Sequence, residues 1–172
     1  MAAFLNLEEV MAILEEMGAS IGALLKEKGE TIAVAESSAG GLISSALLSV
    51  PGASAYFMGG GVLYTYASRN KMLNLPQDTF ENMRPSTEEY ALRLARGARE
   101  FLEATWAVGE TGAAGPTGNR YGDASGHVCI GVSGPKDAVI TLETGSADRE
   151  ENMWTFARAA LELIEKTVRG NA

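Results

Sequence analysis

Residues 36–41, with the sequence ESSAGG, place a carboxylate, two hydroxyl groups and two glycines directly after a short apolar run. Gly40 and Gly41 would let a ligand approach the backbone closely, and a helix beginning there would aim free N–H groups and its positive dipole end at an anion. Ser37 and Ser38 could add hydroxyl donors. The segment therefore predicts a phosphate-binding turn, with an ordinary tight turn closed by a serine cap as the alternative.

A second glycine-rich segment, GETGAAGPTG over residues 109–118, follows a later apolar run. Its small residues predict a loop with many exposed N–H groups, which could form a concave anion site. Glu110, at the end of the preceding strand, could bind a ribose hydroxyl. The stretch 112–126 is long for a connection without secondary structure, and such loops are usually functional or disordered. A mobile connection is the alternative.

A third pair of candidates is Ser54, in a Pro-Gly-Ala-Ser turn, and Tyr64, at the end of a predicted strand. An exposed serine hydroxyl in a turn and a tyrosine ending a strand could reach one cleft. Taken alone, each is more simply a surface hydroxyl or a ring at the edge of the core.

His127 is the only histidine of the chain, so a Ser-His-Asp triad would have to use it. It falls on a predicted strand, on the face alternate to Val128 and Ile130, where a satisfied or solvent-facing histidine is favoured over a catalytic one. The only cysteine, Cys129, lies two residues away, and one histidine with one cysteine argues against a zinc site of standard ligands. We predict no metal and no cofactor.

Helical and strand-like patterns alternate around these segments. We predict helices over residues 7–29, 41–50, 67–73, 87–104 and 150–169, and strands over residues 32–35, 60–66, 105–110, 127–132 and 138–143. Asn6, with Glu9 three residues later, predicts the cap of the first helix. Early alternation followed by two adjacent strands predicts a three-layer α/β/α sandwich with a mixed, mainly parallel sheet, as a single domain over residues 1–172.

The composition limits the class of protein. A chain of 172 residues with 46% hydrophobic and 21% charged residues fits a globular domain with a substantial core. No apolar run approaches the roughly 20 residues of a membrane span, and the first residues resemble no targeting peptide, so we expect a cytoplasmic protein without membrane association. A net charge of −8 argues against nucleic acid as a partner. An anionic small molecule would need a locally prepared pocket.

These motifs, in this order, resemble the family of the CinA C-terminal domain. That family is typified by ESCTGG after the first strand, then PGxSxxF, a glycine, YxxxxK, a GxAGPxGG-like loop and a GxV strand. The matching positions are residues 36–41, residues 51–57, Gly60, Tyr64, residues 112–118 and residues 126–128. The order and spacing run over most of the chain.

The resemblance implies an activity and a set of residues. Active relatives hydrolyse the carboxamide of nicotinamide mononucleotide to nicotinate mononucleotide and ammonia, and they resemble Ser–Lys amidohydrolases. By position, Ser54 would be the nucleophile and Tyr64 a partner in proton transfer. The nucleotide would be held by Glu36, Ser37, Ser38, Gly40, Gly41, Gly112, Ala114, Gly115 and Arg149. Apolar helices in such small domains often pair, so a homo-oligomer is also considered.

Arg69 stands five residues after Tyr64, where the family carries a lysine. A buried lysine can lose its proton and act as a base, whereas arginine keeps its proton and can only orient an oxyanion or bind a carboxylate or phosphate. Lys71 with Tyr66 would keep the five-residue spacing in a shifted register. On a helix, however, Lys71 would lie roughly 200° around the axis from Arg69 and point away from the cleft. Leu73, four residues after Arg69, also favours the Arg69 alignment.

The motifs and the resemblance lead to three hypotheses for the function. The first is an amidohydrolase acting on a pyridine-nucleotide amide. The second is a catalytically silent relative that keeps the nucleotide pocket, because Arg69 suits phosphate contact better than base catalysis. The third, a protein-interaction role in competence or damage response, is suggested only by the name of the family.

Overall fold

The structure is a computed structural model, and it describes residues 7–170. The helices are α1 (Leu7–Lys28), α2 (Leu42–Leu48), α3 (Tyr66–Met72), α4 (Glu88–Phe101) and α5 (Arg149–Arg169). The strands are β1 (Ile32–Glu36), β2 (Phe57–Val62), β3 (Trp106–Ala113), β4 (His127–Ser133) and β5 (Ala138–Glu143). Short 3-10 turns lie at Ala53–Ala55 and Gln77–Phe80. The cap predicted at Asn6 lies outside the described residues.

Within the described residues the strands form one sheet in the order β2-β1-β3-β4-β5. β1 is parallel to both β2 and β3, whereas β3, β4 and β5 form an antiparallel meander. Helices α1, α2 and α5 pack together on one face, and α4 covers the other. The predicted three-layer sandwich with a mixed sheet is confirmed, with parallel and antiparallel pairings in equal number.

The burial of each strand follows from its position in the sheet. Every residue of β1 and β4 is buried, because helices cover both faces of the central strands. The edge strands β2 and β5 instead alternate between half-buried and exposed residues. The larger core holds Ile21, Leu47 and Phe156 between the sheet and the α1–α2–α5 layer. The smaller core holds Leu94 and Phe80 between the sheet and α4.

Several element boundaries differ from the predicted ones, and β2 begins at Phe57 instead of residue 60. β2 ends at Val62 and α3 begins at Tyr66, because Thr65 and Ser68 form a reciprocal capping box that starts the helix early. β3 continues to Ala113, because Thr111 pairs with Cys129 and Ala113 with the residue that opens β4. The predicted loop therefore starts later than its glycine content suggests.

The parallel strands give the sheet two unlike edges. The carboxyl ends of β1, β2 and β3 lie together at one edge, where ligands bind in open α/β sheets. The Ala53–Ala55 turn precedes β2 and therefore lies at the opposite edge. No helix among the described residues has both the length and the apolar character that a membrane crossing demands.

Candidate functional site

A cleft of about 410 Å³ opens at the carboxyl ends of the parallel strands. Small-molecule sites commonly occupy roughly 300–1,000 Å³, so the cleft suits a small ligand. Most of the residues that line it carry hydroxyl, amide or guanidinium groups. They are Ser37, Leu63, Tyr64, Thr65, Tyr66, Pro85, Ser86, Tyr90, Leu94, Thr111, Gly112, Asn119, Arg120 and Tyr121.

The floor of the cleft is the ESSAGG turn, and Glu36 determines its shape. The Glu36 carboxylate is fully buried and accepts hydrogen bonds from the backbone N–H groups of Gly41, Ile43 and Ser44, at 2.9, 3.2 and 3.0 Å. The hydroxyl of Ser44 donates to the same carboxylate at 2.6 Å. Glu36 is therefore the anion at the start of α2.

Glu110 holds the first half of the same turn. Its buried carboxylate accepts hydrogen bonds from the N–H groups of Ser37 and Ala39, at 2.8 and 2.9 Å, and from the hydroxyl of Ser38. Burial raises the pKa of Glu110 to about 7, against the opposing effect of these hydrogen bonds, and the charge of Glu36 adds to the increase. Glu110 has no exposed surface with which to bind a ribose, so that expectation was wrong.

The ESSAGG turn thus does not offer the free N–H groups that the predicted phosphate site requires. The N–H groups expected to face an anion are bonded to the protein's own carboxylates, and the N–H of Gly40 donates to the carbonyl of Ser37 at 3.2 Å. Glu36 and Ser38 lie buried behind the turn, and Gly40 and Gly41 do not line the cleft. Ser37 is the member of the turn whose side chain lines it.

One wall of the cleft is the loop that follows β3, and Asn119 organises it. The Asn119 side chain accepts from the N–H groups of Tyr121 and Asp123, at 3.0 and 3.1 Å, and donates to Ser86 Oγ at 3.2 Å. Asp123 also forms an ion pair with Arg84 at 2.8 Å. These hydrogen bonds and the ion pair hold the loop in place, so it forms an ordered wall of the cleft and not a mobile connection.

Arg149 joins the two sides of the cleft mouth. Its guanidinium donates to the carbonyl of Gly115 at 2.6 Å and to the hydroxyl of Tyr64 at 3.3 Å. The predicted residues Tyr64, Gly115 and Arg149 are thus brought together. Ala114 is buried, and its carbonyl accepts from the Asn152 amide at 2.8 Å.

Gly112 serves packing at the end of β3. A Cβ atom at this position would lie 2.5 Å from the carbonyl oxygen of His127 and 3.0 Å from the hydroxyl oxygen of Ser38. Gly112 also lines the cleft, and only a glycine fits at this position between the strand and the turn.

Arg69 lies behind the cleft rather than in it. Its side chain is 7% exposed, and its guanidinium lies 4.0 Å from the ring centroid of Phe80. It donates to the Tyr90 hydroxyl at 2.6 Å and twice to the Asn70 side chain. Lys71 is exposed on the next part of the helix and does not line the cleft, as the helical geometry predicted.

The far side of the cleft mouth carries a cluster that the sequence analysis missed. The phenol oxygens of Tyr66 and Tyr121 are hydrogen-bonded to each other, and Arg120 donates to both, at 3.3 and 3.1 Å. The only sequence signal was an arginine beside a tyrosine in the long loop. That signal has no meaning until the fold places the loop against α3.

Ser54 does not join these residues within one chain. It is exposed in the Ala53–Ala55 turn that leads into β2, whereas Tyr64 follows the other end of that strand. β2 has six residues. At about 3.3 Å per residue, a strand of this length separates its two ends by roughly 20 Å. A single chain therefore cannot use Ser54 and Tyr64 on one substrate atom.

His127 is a satisfied histidine, as expected. Its Nδ1 is bonded to the carboxylate of Glu143, and its Nε2 faces the carbonyl of Ser86 at 2.9 Å. The pKa of His127 is raised: burial lowers it, and the carboxylate of Glu143 and the carbonyl of Ser86 together outweigh that effect. In the described part of the chain, no group of three or more histidine, cysteine or acidic side chains is placed to hold a metal ion.

The fold and the site together define an α/β protein with a polar small-molecule cleft at a strand-order switch point. The profile of the CinA C-terminal domain matches residues 14–168, and the chain belongs to that family. A CinA-like protein of Desulforapulum autotrophicum is 40% identical over 152 residues, which cover 87% of this chain and 36% of that protein. A CinA-like protein of Chlorobium phaeobacteroides is 38% identical over 161 residues, covering 91% of this chain and 38% of that protein.

The chain therefore spans little more than a third of the length of these curated relatives. Among solved structures, the competence/damage inducible protein CihA from Agrobacterium tumefaciens superposes with a TM-score of 0.82 at 28% identity, covering 98% of this chain and 99% of that one. A CinA superfamily protein from Klebsiella pneumoniae has a TM-score of 0.83 at 20% identity, covers 91% of this chain and 98% of its own, and supports the fold alone.

Proposed function

We propose that the protein is an amidohydrolase that cleaves the carboxamide of nicotinamide mononucleotide in the cleft at the carboxyl ends of β1, β2 and β3. The observation that carries the proposal is the set of groups around this cleft. Serine, threonine and tyrosine residues from several elements line this cleft together with Arg120, whose guanidinium has no carboxylate partner among the described residues, and Arg69 lies behind that lining. A polar ligand with a negative charge fits such a volume.

The chemistry needs an oxygen nucleophile, a proton acceptor and donors for the carbonyl oxygen. Water in the cleft would attack the amide carbon, and the carbon–nitrogen bond would break to release ammonia. Ser37 and Tyr64 line the cleft and their hydroxyl groups would hold the amide, while Arg149 donates a hydrogen bond to the Tyr64 oxygen.

Arg69 also supports a second candidate, a relative that binds the nucleotide without turnover. Lysine is absent from the residues that line the described cleft, and Arg69 keeps its proton. A silent relative would bind nicotinamide mononucleotide in calorimetry and release no ammonia.

The test is ammonia release from nicotinamide mononucleotide by the purified protein, with Ser37→Ala and Ser54→Ala as a matched pair. Both are single hydroxyl deletions, one in the cleft and one at the opposite edge of the sheet. If each chain works alone, Ser37→Ala lowers the rate on the order of tenfold or more, and Ser54→Ala leaves it unchanged. No release by the unaltered protein contradicts the amidase proposal.

Ser54 keeps the role that the family resemblance implies only if it reaches the cleft of a second copy. Ser54→Ala and Tyr64→Phe would then both be inactive alone, and a mixture of the two would recover part of the rate. An inactive Ser54→Ala that no mixture rescues would move the reaction to the other edge of the sheet and contradict a role for this cleft.

A further inference from the structure

Tyr66 and Tyr121 meet at the cleft mouth, one from the first turn of α3 and the other from the loop after β3. Their phenol oxygens are hydrogen-bonded to each other, and Arg120 Nη2 donates to both, at 3.3 and 3.1 Å. The same guanidinium lies 5.7 Å from the ring centroid of Tyr66 and 5.2 Å from that of Tyr121. Two hydroxyl groups and one fixed cation therefore converge at one point of the cleft lining.

A second cation lies close to the Tyr66 ring. The Arg69 guanidinium is 5.1 Å from the ring centroid of Tyr66, so two guanidinium groups flank this phenol. Across the described part of the chain, every ion pair belongs to other arginines or to the histidine, and neither of these two charges is neutralised by a carboxylate. Two positive charges near a phenol, neither neutralised by a carboxylate, favour its ionised form.

The ionisable groups that face Tyr66 come from three elements. They are Arg69 of its own helix, Tyr90 of α4, and Arg120 and Tyr121 of the loop. Tyr90 accepts a hydrogen bond from Arg69 at 2.6 Å, and burial raises its pKa, so it stays protonated beside the pair.

The pKa values of the two phenols are shifted in opposite directions. The pKa of Tyr66 is lowered, first by the hydrogen bond from Tyr121; burial opposes this as the second-largest effect, and Arg120 and Arg69 lower the pKa further. The pKa of Tyr121 is raised, first by burial and then by its bond to Tyr66. The pair therefore loses its first proton more readily than an ordinary tyrosine and holds its second more tightly.

We propose that the Tyr66–Tyr121 pair is the proton acceptor of the cleft and performs the task that an arginine at position 69 cannot. This assignment rests on the proposed amidase function. The phenolate takes one proton from the attacking water as its oxygen bonds to the amide carbon. The phenol then returns this proton to the amide nitrogen as the carbon–nitrogen bond breaks, so ammonia leaves and the phenolate is restored. Arg120 and Arg69 are positioning residues that keep the phenolate form available.

The first arm of the test needs no substrate. Tyrosinate formation is followed by near-ultraviolet absorbance as the pH rises, in the unaltered protein and in Tyr66→Phe, with Tyr64→Phe as the matched control. One tyrosine should ionise below the ordinary phenol pKa of about 10. That early step should be absent from Tyr66→Phe and present in Tyr64→Phe. An unchanged titration in Tyr66→Phe overturns the proposal.

The second arm uses turnover of nicotinamide mononucleotide. Arg120→Gln should move the acid limb of the pH–rate profile to higher pH, lowering the rate at neutral pH on the order of tenfold per pH unit of displacement. Arg120→Lys should restore part of the loss, because it restores the charge. An acid limb that stays in place while ammonia is still released also overturns the proposal. Early ionisation of Tyr66 without ammonia release refutes the proposed substrate and leaves the proton acceptor supported.

Discussion

The floor of the cleft is built around acidic side chains, whereas the far wall is built around arginines. At the floor, two fully buried carboxylates, Glu36 and Glu110, are surrounded by backbone N–H groups and serine hydroxyls. At the wall, the guanidinium of Arg120 and, behind it, that of Arg69 contact aromatic rings and phenol hydroxyls, without a carboxylate partner among the described residues. The acidic groups of the floor have hydrogen-bond donors within the protein, whereas Arg120 lines the cleft without an acidic partner among the described residues.

The difference shows where a negatively charged ligand can be recognised. A helix start attracts anions only while its N–H groups are free, and Glu36 takes those of α2. The charge of a ligand is therefore expected to face the arginine wall, while the floor supplies a rigid surface that carries the Ser37 hydroxyl.

Glu36→Ala should have the largest effect, because it removes the anion at the floor and leaves three backbone N–H groups without an acceptor. The free energy of unfolding should fall by roughly 3 kcal/mol or more. Chemical denaturation measures it, with Glu27→Ala as the control, since Glu27 is an exposed glutamate on α1. Equal losses in the two variants would show that the floor does not depend on this carboxylate.

Glu110 should make the stability depend on pH. Its pKa is about 7 in the fold and ordinary in the unfolded chain, so the folded state binds the additional proton between these values. The contribution is fully present below the unfolded pKa and is lost as the pH rises through about 7. The loss is about 3 kcal/mol.

Glu110→Gln is the matched variant for this effect. Its side-chain oxygen can still accept from Ser37 and Ala39, and its amide can donate to Ser38, so it imitates the protonated acid. Denaturation between pH 5 and pH 8 should show the unaltered protein losing stability relative to Glu110→Gln. Parallel curves would mean that Glu110 is already ionised at the lower pH.

Arg69→Lys should have the smallest effect on stability. The lysine loses the forked bonds to Asn70 and the contact with Phe80, at a cost of roughly 1–2 kcal/mol. It should not raise the rate of ammonia release, because position 69 lies behind the cleft lining. Lys71→Arg, an exposed change on the same helix, is the control for both measurements. A clear gain in rate for Arg69→Lys would show that this side chain does reach the substrate.

The fold could be predicted because its evidence is local. The alternation of apolar runs with capped helices indicates the layers that the structure has. The ends of the elements were less certain, because the early start of α3 depends on a reciprocal bond between Thr65 and Ser68. Such a bond appears in the sequence only as two ordinary polar residues.

The site was harder to predict than the fold, because its residues come together only in the folded chain. The resemblance grouped Ser54 with Tyr64, since both match positions of the family's motifs, but a whole strand lies between them. Conversely, Tyr66 and Tyr121 are 55 positions apart and form one cluster. The buried carboxylates were read as ligand contacts because the sequence does not show which N–H groups the protein needs for itself.

Between its attachments to β3 and β4, the loop that carries Arg120 and Tyr121 contacts the rest of the domain through the side chains of Asn119, Asp123 and Tyr121. Evolution can therefore lengthen, shorten or recharge this loop without shifting the register of any strand. Among descendants of one ancestral domain, ligand preference can diverge at the wall while the floor is inherited unchanged.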